Sequence, residues 1–150
     1  MEFVTLKEII DFAIDNEQDA VDFYNDLAEK AKAKAFAEEL RKMARIEEGH
    51  KKRLEKMDPE TASQETTRPV QDLKIADYLV DIEPGPNMDW QDILHLAMKR
   101  ELAAMNLYTD LAKLVSEPAA KQIFENLAAD ERAHKLYFEK MWDDEIMTEM

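Results

Sequence analysis

The feature that most constrains the fold of this chain is a set of four glutamates, which lie where helical apolar stripes require a core residue. Each glutamate has apolar neighbours three or four residues away along its stripe. This spacing places the glutamate and its apolar neighbours on one face of an α-helix. A carboxylate is costly to bury alone, so these side chains must be paired, protonated or bound to metal. The four residues are Glu17, Glu47, Glu101 and Glu131.

The chain also repeats itself at an offset of 84 residues. Apolar, aromatic and acidic positions of the first half recur in the second half. Such a repeat is too long for a solenoid, and it predicts two similar helical hairpins joined by a long crossover. The aligned pairs include Ile10 with Leu94, Glu17 with Glu101, Tyr24 with Tyr108, Ala44 with Ala128, Glu47 with Glu131, His50 with His134, and Met57 with Met141.

The stripes and the breaks between them predict an all-α fold, a four-helix bundle that forms a single domain over residues 1–150. The crossover is expected to cover residues 58–88 and to contain a short amphipathic helix. Capping signals and prolines mark most of the expected helix ends. The predicted long helices cover residues 6–31, 35–57, 89–115 and 117–143.

One predicted turn, between the first two helices, has no local signal. The stretch from Lys30 to Ala35 lacks glycine and proline, and by itself it is typical of a continuous helix. We expect a turn there because Ser116, Glu117 and Pro118 break the chain at the equivalent place in the second half. If this turn were absent, two chains could exchange halves to build the same bundle.

The composition excludes several kinds of function. The chain has no cysteine, which excludes disulfides, thiol catalysis and thiolate-bound zinc or iron–sulfur sites within it. The formal net charge of −14 argues against nucleic-acid binding, because phosphate contacts require clustered lysine and arginine. No segment approaches the roughly 18 apolar residues that a membrane helix needs, and the first residues do not form a signal segment. We therefore expect a cytoplasmic protein.

Each half of the chain contains one E-x-x-H motif. A spacing of three residues places a carboxylate and an imidazole on the same helical face, so each motif can hold one metal ion. In each half another glutamate precedes the motif by 30 residues, and it can complete or bridge the two ions. The alternative, glutamates on solvated helix edges and two ordinary histidines, requires six coincidences of helical register. The predicted ligands are Glu17, Glu47, His50, Glu101, Glu131 and His134.

The chemistry of these ligands indicates which metals suit the site. Four carboxylates neutralise two divalent cations. A mixed set of oxygen and nitrogen donors suits iron or manganese, and it would also accept zinc or cobalt. Because zinc favours a closed four-coordinate site, six ligands shared by two ions favour a redox metal. We expect two iron ions, with manganese as the second choice.

These ligand positions, together with the long crossover, are the features by which the chain resembles the rubrerythrin branch of the ferritin-like superfamily, over almost its whole length. The resemblance implies a ferritin-like four-helix bundle with a di-iron carboxylate centre that reacts with hydrogen peroxide or dioxygen. By that resemblance, Glu47 and Glu131 would bridge the two metals, and the other four ligands would be more terminal. The resemblance also allows a homodimer.

The chain departs from the rubrerythrin pattern in two respects. Rubrerythrins usually carry a rubredoxin-like iron domain with four cysteines for electron delivery, and this chain has no cysteine. Many also have a further glutamate three residues after the third-helix ligand. This chain has Ala104 there, and Ala20 at the equivalent place in the first half. The predicted site is therefore closer to the six-ligand bacterioferritin type, which keeps ferroxidase chemistry open.

Three further residues are expected beside the ligands. Tyr24 and Tyr108 each follow a ligand glutamate by seven residues, so their hydroxyl groups could hydrogen-bond ligand carboxylates or relay electrons, or the rings could simply fill the core. Asp130 is placed to accept the second N–H of His50 across the bundle, unless it is an ordinary surface acid. Its equivalent in the first half is Ile46, so we expect the two metal sites to be inequivalent.

Three functions are open on the sequence alone. The leading expectation is a non-haem di-iron oxidoreductase, whose reduced centre gives two electrons to hydrogen peroxide or dioxygen. An external electron-donor protein would then reduce the centre again. The second is a ferroxidase that passes ferric iron to storage, which would require a protein cage. The third is a helical interaction module in which the metals are purely structural.

Overall fold

The computed structural model describes residues 5–57, 85 and 88–149. This part of the chain folds into four helices and contains no β-strand, which confirms the prediction of an all-α four-helix bundle. The short helix predicted inside the crossover lies outside the described residues. The helices are α1 (Leu6–Lys30), α2 (Lys34–Glu55), α3 (Trp90–Leu114) and α4 (Pro118–Glu149).

Side-chain caps fix the first turns of three of the helices. The Thr5 hydroxyl accepts a hydrogen bond of 3.2 Å from the backbone N–H of Glu8 at the start of α1. The Asp89 carboxylate accepts one of 2.8 Å from the N–H of Asp92 at the start of α3. The Glu117 carboxylate accepts from two backbone N–H groups in the first turn of α4. Each cap satisfies a helix donor that has no partner within the helix, which stabilises that end by about 1 kcal/mol.

The turn that had no local signal is present. Residues 31–33 separate α1 from α2, and Ala31 adopts an extended conformation that ends α1. The backbone N–H of Met88 donates a hydrogen bond of 3.1 Å to the carbonyl of Lys30, so the chain returning from the crossover pairs with the end of α1. The first hairpin therefore closes within one chain, and the bundle does not require an exchange of halves.

Helix α4 is longer than predicted. Its predicted end at residue 143 followed from the end of the apolar stripe at Met141, whereas the helix continues to Glu149. No glycine or proline follows Pro118, so nothing in the local sequence stops the helix when its apolar face ends. The other helix ends lie within two residues of the predicted ones, and the start of α1 at Leu6 is as predicted.

The helices are amphipathic, and each contributes buried positions at helical spacing to the interior of the bundle. The apolar positions on each helix are interrupted by charged ones. None of the described helices is both long enough and apolar enough to cross a membrane.

The core consists of two apolar clusters with a polar layer between them. Helices α1 and α4 run from the first cluster to the second, and α2 and α3 run in the opposite direction. Each helix passes through the polar layer near its middle, where the predicted metal ligands lie. The first cluster includes Leu6, Ile9, Leu54, Leu107, Leu111, Phe124 and Leu127, and the second includes Leu27, Leu40, Met43, Ile93, Leu94, Ala97 and Phe138.

Candidate metal centre

The polar layer is made of the six predicted ligands. All four glutamates are 1% exposed, and His50 is 4% exposed. The side chain of His134 is 16% exposed, which makes it the most accessible of the six. Two apolar clusters seal the layer above and below, so these carboxylates cannot be solvated as they would be at a helix surface.

The six side chains form two overlapping groups. Within each group the possible ligand atoms all lie within 4.8 Å of one another. Metal–ligand bonds to such atoms are about 2.0–2.2 Å long, so opposite ligands of one ion lie about 4 Å apart, and each group has the size of one coordination shell. Glu47 and Glu131 belong to both groups. The first group is Glu17, Glu47, His50 and Glu131, and the second is Glu47, Glu101, Glu131 and His134.

Each of the six side chains has one buried atom without a hydrogen-bond partner among the described residues. Buried polar atoms are normally hydrogen-bonded, so six together in one place require another explanation. His50 Nδ1 lies 2.9 Å from Glu131 Oε1, yet neither atom has a hydrogen-bond partner. A cation placed among these atoms would satisfy all of them, so the residues fit a metal. The atoms are Glu17 Oε2, Glu47 Oε1, His50 Nδ1, Glu101 Oε2, Glu131 Oε1 and His134 Nδ1.

The electrostatics of the glutamates indicate how the cluster behaves without metal. Burial raises the pKa of Glu17 to about 8, although His50 opposes this shift. Burial and the neighbouring carboxylates, above all Glu101, raise the pKa of Glu131 well above its ordinary value. Burial also opposes ionisation of Glu47, but contacts with the two histidines lower its pKa overall. The carboxylates therefore cannot all stay ionised in this layer unless cations neutralise them.

The histidines carry the corresponding positive charge. Burial alone would lower the pKa of His50, but Glu17 and Glu47 raise it to about 10. In the same way Glu101 and Glu47 raise the pKa of His134 to about 9, against the effect of burial. Protons thus occupy the cluster where a metal would otherwise supply the charge. Metal binding must displace these protons, which makes metal affinity dependent on pH.

The outer nitrogens of the two histidines have different surroundings. His50 Nε2 lies 3.3 Å from Asp130 Oδ2, across the bundle as predicted. The same carboxylate oxygen accepts a hydrogen bond of 3.2 Å from Arg53. Among the described residues no carboxylate lies within ion-pair distance of the outer nitrogen of His134, and the equivalent residue Ile46 is apolar and 42% exposed. The two halves of the centre are therefore unequal in their outer contacts.

The two predicted tyrosines contact ligand carboxylates, but across the bundle. Tyr24 of α1 donates a hydrogen bond of 2.5 Å to Glu101 Oε1 of α3. Tyr108 of α3 donates a short hydrogen bond to Glu17 Oε1 of α1. Both tyrosines are fully buried, and burial together with the nearby carboxylates raises their pKa well above 10, so both remain hydrogen-bond donors. Each tyrosine therefore orients the ligand of the opposite half, not the glutamate that precedes it on its own helix.

Two positions near the ligands hold no carboxylate. Ala20 and Ala104 are both buried, at 4% and 8% exposure. Among the described residues the metal-binding groups contain only the six predicted side chains. The candidate centre thus contains six possible ligand residues in the part of the chain that the structure describes.

Sequence reasoning missed Arg53, which holds Asp130 beside His50. The two residues are partly exposed and lie on different helices, so apolar spacing along one helix gave no signal for this pair.

Two antiparallel hairpins that bury a shared layer of glutamate and histidine define a ferritin-like metal-binding bundle. A comparison with protein families agrees, because the rubrerythrin family model matches residues 8–142. The chain belongs to the rubrerythrin family.

Two solved structures are similar to this chain over most of their length. A hypothetical protein from Pyrococcus furiosus is 27% identical, with a TM-score of 0.64, over 93% of this chain and 89% of its own. A protein from Thermotoga maritima, assigned as a ferritin-like diiron-carboxylate protein, has a TM-score of 0.71 at 17% identity, over 97% of this chain and 99% of its own. This second likeness supports the fold alone. No curated protein matches the chain.

Proposed function

We propose that this chain is a di-iron carboxylate oxidoreductase that reduces hydrogen peroxide or dioxygen at its buried centre. The observation that carries the proposal is the pair of overlapping ligand groups that share Glu47 and Glu131. Each group has enough ligand atoms for one metal ion, and the two groups share two carboxylates. This is the arrangement that a pair of neighbouring metal ions requires. A single structural ion would not need the second group.

Charge and ligand chemistry support two iron ions. Four carboxylates neutralise two divalent cations, and the mixed oxygen and nitrogen donors suit iron, with manganese as the second choice. Glu47 and Glu131, which belong to both groups, would help to hold both ions. Glu17 and His50 would complete one shell, and the two remaining ligands, on α3 and α4, would complete the other. When bound, the iron pair supplies the two electrons that the oxidant takes up.

The protein's own residues would hold the centre and keep water out. Tyr24 and Tyr108 fix the orientation of Glu101 and Glu17 through their hydrogen bonds. Asp130 fixes the ring of His50 through its outer nitrogen. Such outer contacts hold ligands in place while the metals change charge. The two apolar clusters exclude bulk water from both sides of the layer.

Electrons for repeated turnover would come from outside this chain. The chain has no cysteine, so it contains no thiolate-bound iron site of its own to store or deliver electrons. We therefore propose an external electron-donor protein as a partner. A homodimer of the chain, acting in the cytoplasm, belongs to the same proposal.

Ferroxidase activity is the second candidate. The small buried residues Ala20 and Ala104 occupy positions where an additional carboxylate would expand the ligand set. By the resemblance to the six-ligand bacterioferritin type, a site without it would oxidise added Fe(II) and release ferric iron to a storage partner. Both candidates require the same six ligands, so only their substrates separate them.

Kinetic assays with defined substrates distinguish these functions. The iron-loaded, reduced protein is mixed with hydrogen peroxide under anaerobic conditions, and the loss of electrons from the centre is followed optically. Rapid oxidation by peroxide, with repeated turnover once a donor is supplied, supports the oxidoreductase. Continuous oxidation of many added Fe(II) ions per chain supports the ferroxidase. If neither reaction is faster than with iron in free solution, the metals are structural and the proposal is wrong.

A further inference from the structure

A hydrogen-bonded tyrosine at the surface lies close to the metal centre. Tyr137 of α4 is 40% exposed, and it is the only exposed aromatic residue in the described part of the chain. Its hydroxyl donates a hydrogen bond of 2.5 Å to Glu39 Oε1 of α2. It follows His134 by three residues, so it lies one helical turn from a metal ligand. The chemistry proposed above does not use this pair.

A continuous series of contacts joins Tyr137 to the ligands. The ring centroid of Tyr137 is 5.8 Å from that of Phe138, which is fully buried. The Phe138 ring stacks on Tyr24, with centroids 6.3 Å apart and planes inclined by 20°. Tyr24 in turn donates its hydrogen bond to Glu101. Three aromatic rings in contact thus lead from solvent to a ligand carboxylate.

The two tyrosines in this series share a feature that suits electron transfer. Each donates its phenol hydrogen to a carboxylate at 2.5 Å, Tyr24 to Glu101 and Tyr137 to Glu39. A phenol that loses an electron becomes strongly acidic, so it needs a nearby base that takes up its proton. Burial and the Glu39 carboxylate raise the pKa of Tyr137 to about 12, so the phenol remains protonated until an electron leaves it.

In the part of the chain that the structure describes, the other half of the centre shows no comparable series of contacts that ends at an exposed aromatic ring. Tyr108 stacks on Phe124, with centroids 6.2 Å apart, and Phe124 is fully buried in the first apolar cluster. Because Tyr137 is the only exposed aromatic residue among those described, contacts from Phe124 lead to no exposed ring there. Electrons would therefore pass through the series of rings that contains Tyr137 and not through the rings beside Tyr108.

We propose that Tyr137 is a redox relay residue, which gives one electron to the centre through Phe138 and Tyr24 and regains it from an external one-electron donor. The inference rests on the proposed reduction of hydrogen peroxide. Peroxide needs two electrons, and with two protons from solvent it gives two molecules of water. When the metals supply only one electron, Tyr137 supplies the other, its O–H bond breaks, and its proton passes to Glu39. The donor's electron and the proton returned by Glu39 then restore the phenol.

Radical detection in matched variants tests this relay. The full chain is loaded with iron, reduced by one electron per pair of metal ions, mixed with hydrogen peroxide without a donor, and frozen for electron paramagnetic resonance. Peroxide consumption is measured in the same samples. The variants are Tyr137→Phe and Phe138→Leu, and the control is Phe124→Leu. Both phenylalanines are fully buried on α4 and stack on a tyrosine of the centre, so their replacement should cost similar stability.

The relay predicts a tyrosyl radical in the unmodified protein. The signal should be lost in Tyr137→Phe, a surface variant that keeps the ring. It should also be lost in Phe138→Leu but persist in Phe124→Leu. An undiminished signal in Tyr137→Phe, or equal losses in the two leucine variants, would overturn the relay. Peroxide consumption with no radical in the unmodified protein would overturn the relay and leave the proposed function standing, whereas no consumption would overturn both.

A second surface variant examines the proton step. Glu39→Gln keeps the contact with Tyr137 but removes the basic carboxylate. The relay predicts a weaker radical signal in this variant, with an unchanged helical circular dichroism spectrum. A signal as strong as in the unmodified protein would contradict the role of Glu39 as the proton acceptor.

Discussion

Tyr108 of α3 donates a hydrogen bond from its hydroxyl group to Glu17 of α1, a predicted metal ligand that belongs to the other half of the internal repeat. Tyr24 makes the reciprocal bond to Glu101. The two halves of the chain therefore hold each other's ligands, and neither hairpin contains a complete site. The polar layer therefore depends on both hairpins, which also pack against each other through the two apolar clusters.

Removal of the Tyr108 hydroxyl group should lower the affinity of the centre for metal ions. In Tyr108→Phe the ligand Glu17 loses its orienting donor, and outer contacts of this kind are typically worth about 10–100-fold in metal affinity. Tyr24→Phe should have an effect of similar size on Glu101. Competition with a chelator measures the affinity. The control Tyr137→Phe removes a hydroxyl that touches no ligand and should leave affinity unchanged. Equal affinities in all three variants would contradict the role of the buried tyrosines.

Loss of the Asp130 carboxylate should affect one metal ion more than the other. In Asp130→Asn the ring of His50 loses its charged outer partner, so the ion on that side should bind about 10–100-fold more weakly. Stepwise metal titration separates the two ions. An equal loss of affinity for both ions would show that the contact between Asp130 and His50 does not distinguish the two metal sites.

A substitution that adds a carboxylate beside His134 should strengthen metal binding on that side of the centre. Ile46 is exposed and occupies the position equivalent to Asp130. The variant Ile46→Asp should therefore give His134 a similar outer partner and tighten the weaker ion in the same titration. If the more weakly bound ion binds no more tightly in this variant, a carboxylate at position 46 does not support His134 as Asp130 supports His50.

The metal-free protein should lose stability as pH rises. His50 and His134 have pKa values of about 10 and 9 in the folded protein, above the ordinary 6.5, and Glu17 has a pKa of about 8, above the ordinary 4.5. The folded state thus binds more protons than the unfolded state in this range, and its stability falls with rising pH. The histidine contribution is complete below pH 6.5 and disappears as pH passes through the folded values. The lowered pKa of Glu47 has the opposite sign, but it acts only at acid pH.

Chemical unfolding of metal-free and metal-loaded protein between about pH 6 and 9 measures this dependence. The metal-loaded protein should not show the same fall, because metal replaces the protons and its affinity increases as they leave. The stability difference between the two forms should therefore grow with pH. A metal-free protein that gains stability over this range would contradict the account of the cluster.

Gly49 should be replaceable with a gain in stability. It lies inside α2, and a Cβ atom added there would meet nothing within 4 Å. Gly49→Ala should therefore stabilise the protein by about 0.5–1 kcal/mol, measured by denaturant unfolding. The equivalent residue of the second half is Ala133, also exposed on a helix, so Ala133→Gly should destabilise by a similar amount. A loss of stability in Gly49→Ala would show that the glycine has a role beyond packing.

The sequence contained enough to predict the bundle and the meeting of the six candidate ligand side chains in one polar layer, because these residues interrupt apolar stripes at helical spacing. Residues that meet across the bundle were harder to predict. The tyrosines were expected beside a carboxylate, but periodicity on one helix does not identify the partner on another. The link between Tyr137 and Glu39 joins an exposed residue to a half-buried one on a different helix, and positions outside the core carry no apolar periodicity.

Local sequence also failed to predict where two elements end. The turn at residues 31–33 contains neither glycine nor proline, and it could be inferred only from the second half of the repeat. The end of α4 was placed at the last apolar contact, although a helix without a stop signal continues beyond it. In both places tertiary packing or the absence of a breaker decides the boundary, and apolar spacing does not.

The central claim is that the four buried glutamates face two metal ions, and metal content measured with iron-loaded protein tests it most directly. We predict two iron ions per chain in the unmodified protein and loss of the two-metal centre in Glu131→Ala, because Glu131 belongs to both ligand groups. Glu48→Ala, which changes a neighbouring glutamate outside both groups, should retain both ions. Fewer than about one ion per chain in the unmodified protein, or two ions retained in Glu131→Ala, would contradict the account.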